Sequence, residues 1–193
     1  MRKVIFPLAV AMGFGTIGVV GCDTSTPNSP AQQTALHDEA RATLERMEAQ
    51  DPGLKNLVQN SYGYAIFPEV GAGAIGIGGA SGEGYVYQNG QRIGTVKLSQ
   101  ASVGAQLGGN TYGELIIFQD EHALNRLMNN SIEFGADANA VAVKNGAAGS
   151  ASFNHGVEIY VLPKGGLEVG VAVNGQKFHF TPTSNQSNPN TPQ

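Results

Sequence analysis

The sequence predicts an α+β domain in which a glycine-rich, strongly curved antiparallel sheet, shaped as a small barrel or sandwich, packs against about three helices. Many short segments are rich in β-branched and aromatic residues, and 27 of the 193 residues are glycine. Glycine at this density permits close backbone packing and bending of strands. Three further segments space their apolar residues as helices do.

The first helix is predicted from Leu36 to Ala49, where apolar residues recur at helical spacing among charged ones. Asp51 is expected to cap a second short helix with Pro52 at its first position. A third helix is expected after Asp120, ending near Asn129. The apolar positions of the first helix are Leu36, Ala40, Leu44 and Met47.

The remaining domain is predicted to form strands separated by turn residues. Asn89-Gly90 and Asn174-Gly175 are the clearest hairpin turns, because both residue types tolerate the positive φ of tight hairpins. The predicted strands are Tyr64–Phe67, Ala72–Gly79, Gly84–Tyr87, Arg92–Gly108, Glu114–Phe118, Asn139–Val143, Val157–Leu162, Leu167–Val173 and Lys177–Thr181.

The N-terminus indicates export and lipid anchoring. Arg2 and Lys3 precede an apolar run that is too short and too rich in glycine for a permanent membrane span. The run ends in Val-Val-Gly-Cys, which resembles a lipoprotein cleavage site, and Cys22 is the single cysteine. We expect a signal peptide over 1–21, a lipidated disordered tether over 22–35, one domain over 36–182 and a disordered tail over 183–193. This places the domain on the periplasmic or cell-envelope side of a bacterial membrane.

Charge argues against nucleic acid as a partner. Loss of the leader removes two of the 11 basic residues and none of the 15 acidic ones, which leaves a formal charge of −6. Binding to nucleic acid requires a basic surface that neutralises phosphates.

Four ordered stretches resemble the SYLF domain over about Leu36 to Thr181. They are YGYAIFPEV (62–70), GAIGIGGASGEGYVY (73–87), VKLSQASVGAQLGGNTYGELIIF (96–118), and FGADANAVAV (134–143) followed by LPKGGLEVGVAVNG (162–175). The resemblance implies a single α+β domain that binds lipid, phosphoinositides in eukaryotic members, and actin filaments in fungal ones. It also implies membrane contact through the first helix, here carrying Arg41 and Arg46 against four acidic residues.

No pattern predicts an enzyme, a metal site or a cofactor. Gly71, Gly73 and Gly76 spell GxGxxG, but no helical period follows, so strand packing is the favoured interpretation. The four histidines lack metal-ligand spacing, and no serine lies in a nucleophile motif.

Candidate binding residues are few. Glu83, between Gly82 and Gly84, is interpreted either as a functional contact at a turn or as a solvent-exposed turn acid. Gln100, Gln106 and Glu114 could line a polar cavity or hydrogen-bond between neighbouring strands. Basic residues could meet phosphate headgroups if they gathered on one face. The candidate set is Arg41, Arg46, Glu83, Arg92, Lys97, Lys164 and Lys177, with Cys22 as the lipid attachment site.

The function predicted from these features is that of an anchored envelope lipoprotein whose domain binds phospholipid, with phosphoinositide-like and other anionic lipids as candidates, or another amphiphile. The alternative is a structural envelope lipoprotein that binds protein or cell-wall partners.

Overall fold

The computed structural model describes residues 29–72, 79–101, 111–130, 133–134, 140–164 and 175–183. Several predictions made from the sequence lie outside these residues. They are the leader and Cys22, the tether up to residue 28, the tail after 183, Gln106, the strand over 167–173 and parts of the strands over 72–79, 92–108 and 139–143.

Three helices and eight strands make up the described fold. The helices are α1 (Pro30–Gln50), α2 (Gly53–Asn60) and α3 (Glu121–Met128), and a short 3₁₀ turn spans Ala148–Ser150. The strands are β1 (Gly63–Ala72), β2 (Gly79–Gln88), β3 (Gln91–Ala101), β4 (Thr111–Phe118), β5 (Glu133–Phe134), β6 (Ala140–Ala142), β7 (Val157–Pro163) and β8 (Gln176–Pro182).

All eight strands belong to one sheet, in the order β5-β8-β3-β2-β1-β4-β7-β6. Every pair is antiparallel except β6 and β7, which are parallel. The predicted α+β class, with a curved sheet and three helices, is confirmed. Over the described residues the strands form a single open sheet, whose outer strands are β5 and β6.

Helix α1 begins earlier than the predicted Leu36. The Ser29 hydroxyl accepts a hydrogen bond from the Gln32 amide (3.2 Å), and the Gln32 side chain accepts one from the Ser29 amide (3.2 Å). This capping box pairs two amides that a helix start leaves without partners, and Pro30 suits the first helical turn. The tether prediction over 22–35 is therefore wrong from Pro30 onward, because those residues are helical.

The sheet carries a hydrophobic core on each face, because alternate residues of a strand point to opposite sides. On one face, helices α1 and α2 cover Ile66, Leu115 and Tyr160 through Ala40 and other apolar residues. The opposite face packs its own apolar side chains together with α3 and forms the concave side. Residues of that second core include Phe67, Val96, Ile116, Phe118, Leu124, Leu127, Val161 and Phe178.

One hydrogen bond on the concave face shows that the sheet is strongly curved. The Gln176 side-chain amide in β8 donates to the Glu114 carboxylate in β4 over 2.9 Å. Three strands separate β8 from β4, so a flat sheet with strands about 4.8 Å apart would hold them about 19 Å apart. The sheet must therefore coil until side chains of distant strands meet across its concave side.

Glycines permit this coiling where β1 passes close to β2. A Cβ at Gly84 would lie 2.3 Å from the Ile66 carbonyl oxygen, and one at Gly82 would lie 2.8 Å from Val70 Cγ2. The register of β1 shifts between Ile66 and Glu69 beside these positions, as expected of a β-bulge. The glycines on either side of Glu83 thus have a packing role, as the sequence interpretation of the glycine-rich stretch expects.

Candidate functional site

A half-open groove lies where α1, α2, the start of β1 and the β2–β3 turn meet. We call it the α1–α2 groove, and its volume is about 560 Å³. This volume lies within the range of small-molecule sites, roughly 300–1,000 Å³. Its lining residues are Leu44, Glu48, Val58, Gln59, Ser61, Gly63, Tyr64, Asn89 and Gly90.

Local sequence explains why these elements meet. Asp51 lies between α1 and α2. Its buried carboxylate accepts hydrogen bonds from the amides of Gly53 (3.1 Å), Ala148 (2.6 Å) and Gly146 (3.4 Å). It thereby fixes the start of α2 against the segment around the 3₁₀ turn. The predicted capping role of Asp51 is present in the bond to Gly53, while Pro52 occupies the cap position itself.

The other wall of the groove is a tight turn. Asn89 and Gly90 both have positive φ, at 50° and 76°, which matches the predicted hairpin. The Asn89 amide donates to the Tyr62 carbonyl over 3.3 Å, so the turn is tied to the chain that enters β1. Position 63 has no room for a side chain, because a Cβ there would lie 2.7 Å from the Tyr87 carbonyl oxygen.

The groove combines an apolar wall with a single acid among its lining residues. Leu44, Val58 and Tyr64 are half-buried, and the Tyr64 ring stacks on that of Tyr87 with centroids 4.8 Å apart. Burial raises the pKa of Tyr64 to about 12, with smaller contributions from Tyr87 and Glu48. An amphiphile could place its chain on the apolar wall and its polar end at the rim.

Glu48 is the charged member of this lining. Burial raises the pKa of its carboxyl, Lys55 opposes the shift, and Glu45 adds to it. Among the described residues, no donor lies within hydrogen-bonding or ion-pairing distance of its carboxylate. In the described part of the chain, the acids that pair with arginine or lysine lie outside the groove lining: Glu45 with Arg41 (3.5 Å), Glu83 with Lys97 (3.2 Å) and Glu69 with Lys164 (2.8 Å).

The candidate basic residues do not all gather on one face. Arg46 is bound to its own helix, through the Ala42 carbonyl (3.2 Å) and the Thr43 hydroxyl (2.7 Å). Arg92 lies at the start of β3, with its guanidinium carbon 4.9 Å from the centre of the Tyr85 ring. Lys164 follows β7 and pairs with Glu69 in β1.

Two of the candidates do share a face. Lys97 in β3 lies opposite His179 in β8, and Ser99 lies opposite Lys177. Lys97 and Lys177 are therefore diagonal neighbours on the side of β3 and β8 that faces away from the concave core. Lys97 is already paired with Glu83 there.

Glu83 is not in a turn, which corrects both sequence interpretations of it. It lies in the middle of β2, opposite Lys97, and its side chain is 26% exposed. Flanking glycines suggested a turn, but here they permit the close approach of β1.

A second polar group lies inside the concave core. Glu114 is fully buried and accepts from Gln176, and Tyr112 lies two residues before it on the same face. Burial raises the pKa of Glu114 to about 7, which the Gln176 hydrogen bond opposes. Burial and the nearby Glu114 also raise the pKa of Tyr112. We call Tyr112, Glu114 and Gln176 the interior cluster.

Glu114 was anticipated in part from the sequence. The polar-cavity alternative placed Glu114 and Gln100 together, and both are buried on the concave face. The other interpretation, hydrogen bonding between neighbouring strands, is wrong for Glu114, because its partner lies on the non-adjacent β8. Gln176 itself was missed, since no sequence signal shows that β8 curls over β4.

The described residues show neither a metal site nor a membrane-crossing helix. No three of their His, Cys, Asp or Glu side chains converge in a way that could hold a metal ion. None of the described helices combines the length and the apolar content needed to cross a bilayer.

Taken together, the fold and groove define a glycine-rich α+β domain built on one curved sheet. Residues 99–188 match the model of the Ysc84 family, described as "Las17-binding protein actin regulator". The chain is also 26% identical to Beta cell expansion factor A of Aeromonas veronii over 154 residues. The aligned stretch covers 75% of this chain and 55% of that protein. The chain thus spans about half the length of this curated relative, which is itself a SYLF protein. The resemblance drawn from the sequence is confirmed over residues 99–188, the part of the chain that matches the SYLF family model.

Proposed function

We propose that this protein is a membrane-anchored envelope lipoprotein without catalytic activity, whose SYLF domain binds phospholipid or another amphiphile in the α1–α2 groove. The observation that carries the binding proposal is the groove itself, with a volume of about 560 Å³ between two helices and a hairpin. The match of residues 99–188 to a family associated with lipid binding supports the same function.

The shape and lining of the groove suit an amphiphile better than a fully polar ligand. Its apolar wall consists of half-buried Leu44, Val58 and Tyr64, so a bound alkyl chain would remove this surface from water. The rim offers Gln59, Ser61 and Asn89 for hydrogen bonds to a headgroup.

The basic candidates provide weaker support for an anionic headgroup. Arg41, Lys97 and Lys164 each have a carboxylate within 4 Å, at 3.5, 3.2 and 2.8 Å. A phosphate would have to displace those acids in a chain whose formal charge is −4. We therefore assign the binding to the groove and not to a basic face.

Vesicle sedimentation with residues 23–193 tests the proposal without a lipid on Cys22. All described elements follow residue 28, so this chain keeps both hydrophobic cores. We expect it to pellet with vesicles of mixed phosphatidylethanolamine and phosphatidylglycerol. Val58→Asp should weaken pelleting about tenfold, because it puts a charge on the apolar wall.

Asn56→Asp is the matched control, since it adds the same charge to an exposed position of the same helix. It should pellet as the parent does. A parent chain that stays in the supernatant at low salt would overturn amphiphile binding. Together with reproducible cross-linking to an envelope protein, that result would favour the structural alternative.

A further inference from the structure

We propose that the α1–α2 groove selects amphiphiles with an ammonium headgroup, with the Glu48 carboxylate as the residue that recognises the ammonium. This inference rests on the proposed function, because it specifies the ligand of the same groove. It contrasts with the anionic headgroups that the basic residues of the sequence suggest.

Charge complementarity is the first support. Glu48 is the sole charged residue among those that line the groove, and it lies beside the apolar wall formed by Leu44 and Val58. A ligand that lays its chain on that wall brings its headgroup close to this carboxylate. A headgroup that carries an ammonium is attracted there, whereas a headgroup that carries only negative charge, such as a sulfate, is repelled.

The lack of a bonding partner for the Glu48 carboxylate also supports ammonium recognition. It is half-buried on the inner side of α1, yet among the described residues it has no hydrogen-bond donor and no ion-pair partner. Glu45, one turn earlier, is 66% exposed and pairs with Arg41. A partly desolvated carboxylate without a partner is unfavourable, and a bound ammonium would supply the missing donor.

The surrounding groups fit this role. Lys55 on α2 is close enough to lower the pKa of Glu48, and Glu45 on α1 raises it, but neither forms a short contact with it. Tyr64 lines the groove, lies close enough to Glu48 for that carboxylate to raise its pKa, and stacks its ring on Tyr87. Aromatic rings attract ammonium groups, so the Tyr64 ring adds to the preference for a cation.

Binding of three single-chain amphiphiles to residues 23–193 tests the inference by calorimetry. Decylammonium, decyl maltoside and decyl sulfate share the same alkyl chain and are used below their micelle concentrations. We expect decylammonium to bind about fivefold more tightly than decyl maltoside, and decyl sulfate more weakly than both. Glu48→Gln should abolish the preference, so that decylammonium and decyl maltoside bind the variant with about equal affinity.

Glu39→Gln is the control variant, because it removes the same charge from an exposed position of α1 outside the groove lining. It should keep the preference for decylammonium. If decyl maltoside binds but no such preference exists, or if the preference survives Glu48→Gln, the inference is overturned while the proposed function stands. If none of the three amphiphiles binds, the proposed function fails as well.

Discussion

Replacing Asp51 by alanine is expected to lower the free energy of unfolding by about 4 kcal/mol. Its carboxylate accepts from the amides of Gly53, Ala148 and Gly146, and the Ala148 bond is buried and only 2.6 Å long. Each buried amide that loses its acceptor costs about 1–3 kcal/mol. The substitution also releases the start of α2 from the segment around the 3₁₀ turn.

Urea denaturation measures this loss through the midpoint and slope of the transition. Asp51→Asn keeps one acceptor oxygen and should lose about half as much. Asp38→Ala removes an acid that is 69% exposed and should change stability by less than about 0.5 kcal/mol. An Asp51→Ala variant within about 1 kcal/mol of the parent would show that this carboxylate does not hold the two segments together.

The protein is expected to become more stable as the pH falls from 8 to 5, and Glu114 should account for about 3 kcal/mol of that change. Burial raises the pKa of Glu114 to about 7 from the ordinary 4.5. Between pH 4.5 and pH 7, the folded state therefore keeps a proton on Glu114 that the unfolded state has released. This contribution is complete below pH 4.5 and is lost as the pH rises through 7. The size of the contribution follows from the difference in the pKa of Glu114 between the folded and the unfolded state, because one pKa unit corresponds to about 1.4 kcal/mol.

Glu114→Gln isolates this contribution, because it keeps an acceptor for Gln176 but cannot ionise. We measure the free energy of unfolding of both proteins by thermal unfolding at pH 5 and pH 8. The difference between the variant and the parent should be about 3 kcal/mol more in favour of the variant at pH 8 than at pH 5. Glu39→Gln, at an exposed position, should follow the parent at both values. Equal pH dependence in the parent and Glu114→Gln would mean that the interior carboxyl ionises as freely as an exposed one.

Local structure was largely predictable from the sequence because its causes are local. The third helix begins after Asp120, whose carboxylate accepts from the Ala123 amide over 2.8 Å, as a capping residue should. The periodic residues Ala40 and Met47 of α1 are buried, and the turn at Asn89-Gly90 has the expected positive φ. Each of these features depends on residues within a few positions of one another.

What the sequence did not predict depends on contacts between distant segments. Alternation shows that Glu114 and Tyr112 share a face of β4, but it does not show that β8 curls over to bring Gln176 against them. The groove likewise joins Glu48, Val58 and Asn89 from three elements, each of which is by itself typical of an ordinary helix or turn. Glu83 was misplaced in a turn because flanking glycines serve equally well where two strands pass closely.

A nitrogen-15 NMR titration of residues 23–193 with decyl maltoside tests the groove as the binding site most directly. We predict saturable amide shifts that cluster at Leu44, Glu48, Val58, Ser61, Tyr64 and Gly90, with little change along β3 and β8. Shifts concentrated around Lys97 and Lys177, or no saturable shifts at all, would contradict binding in the groove.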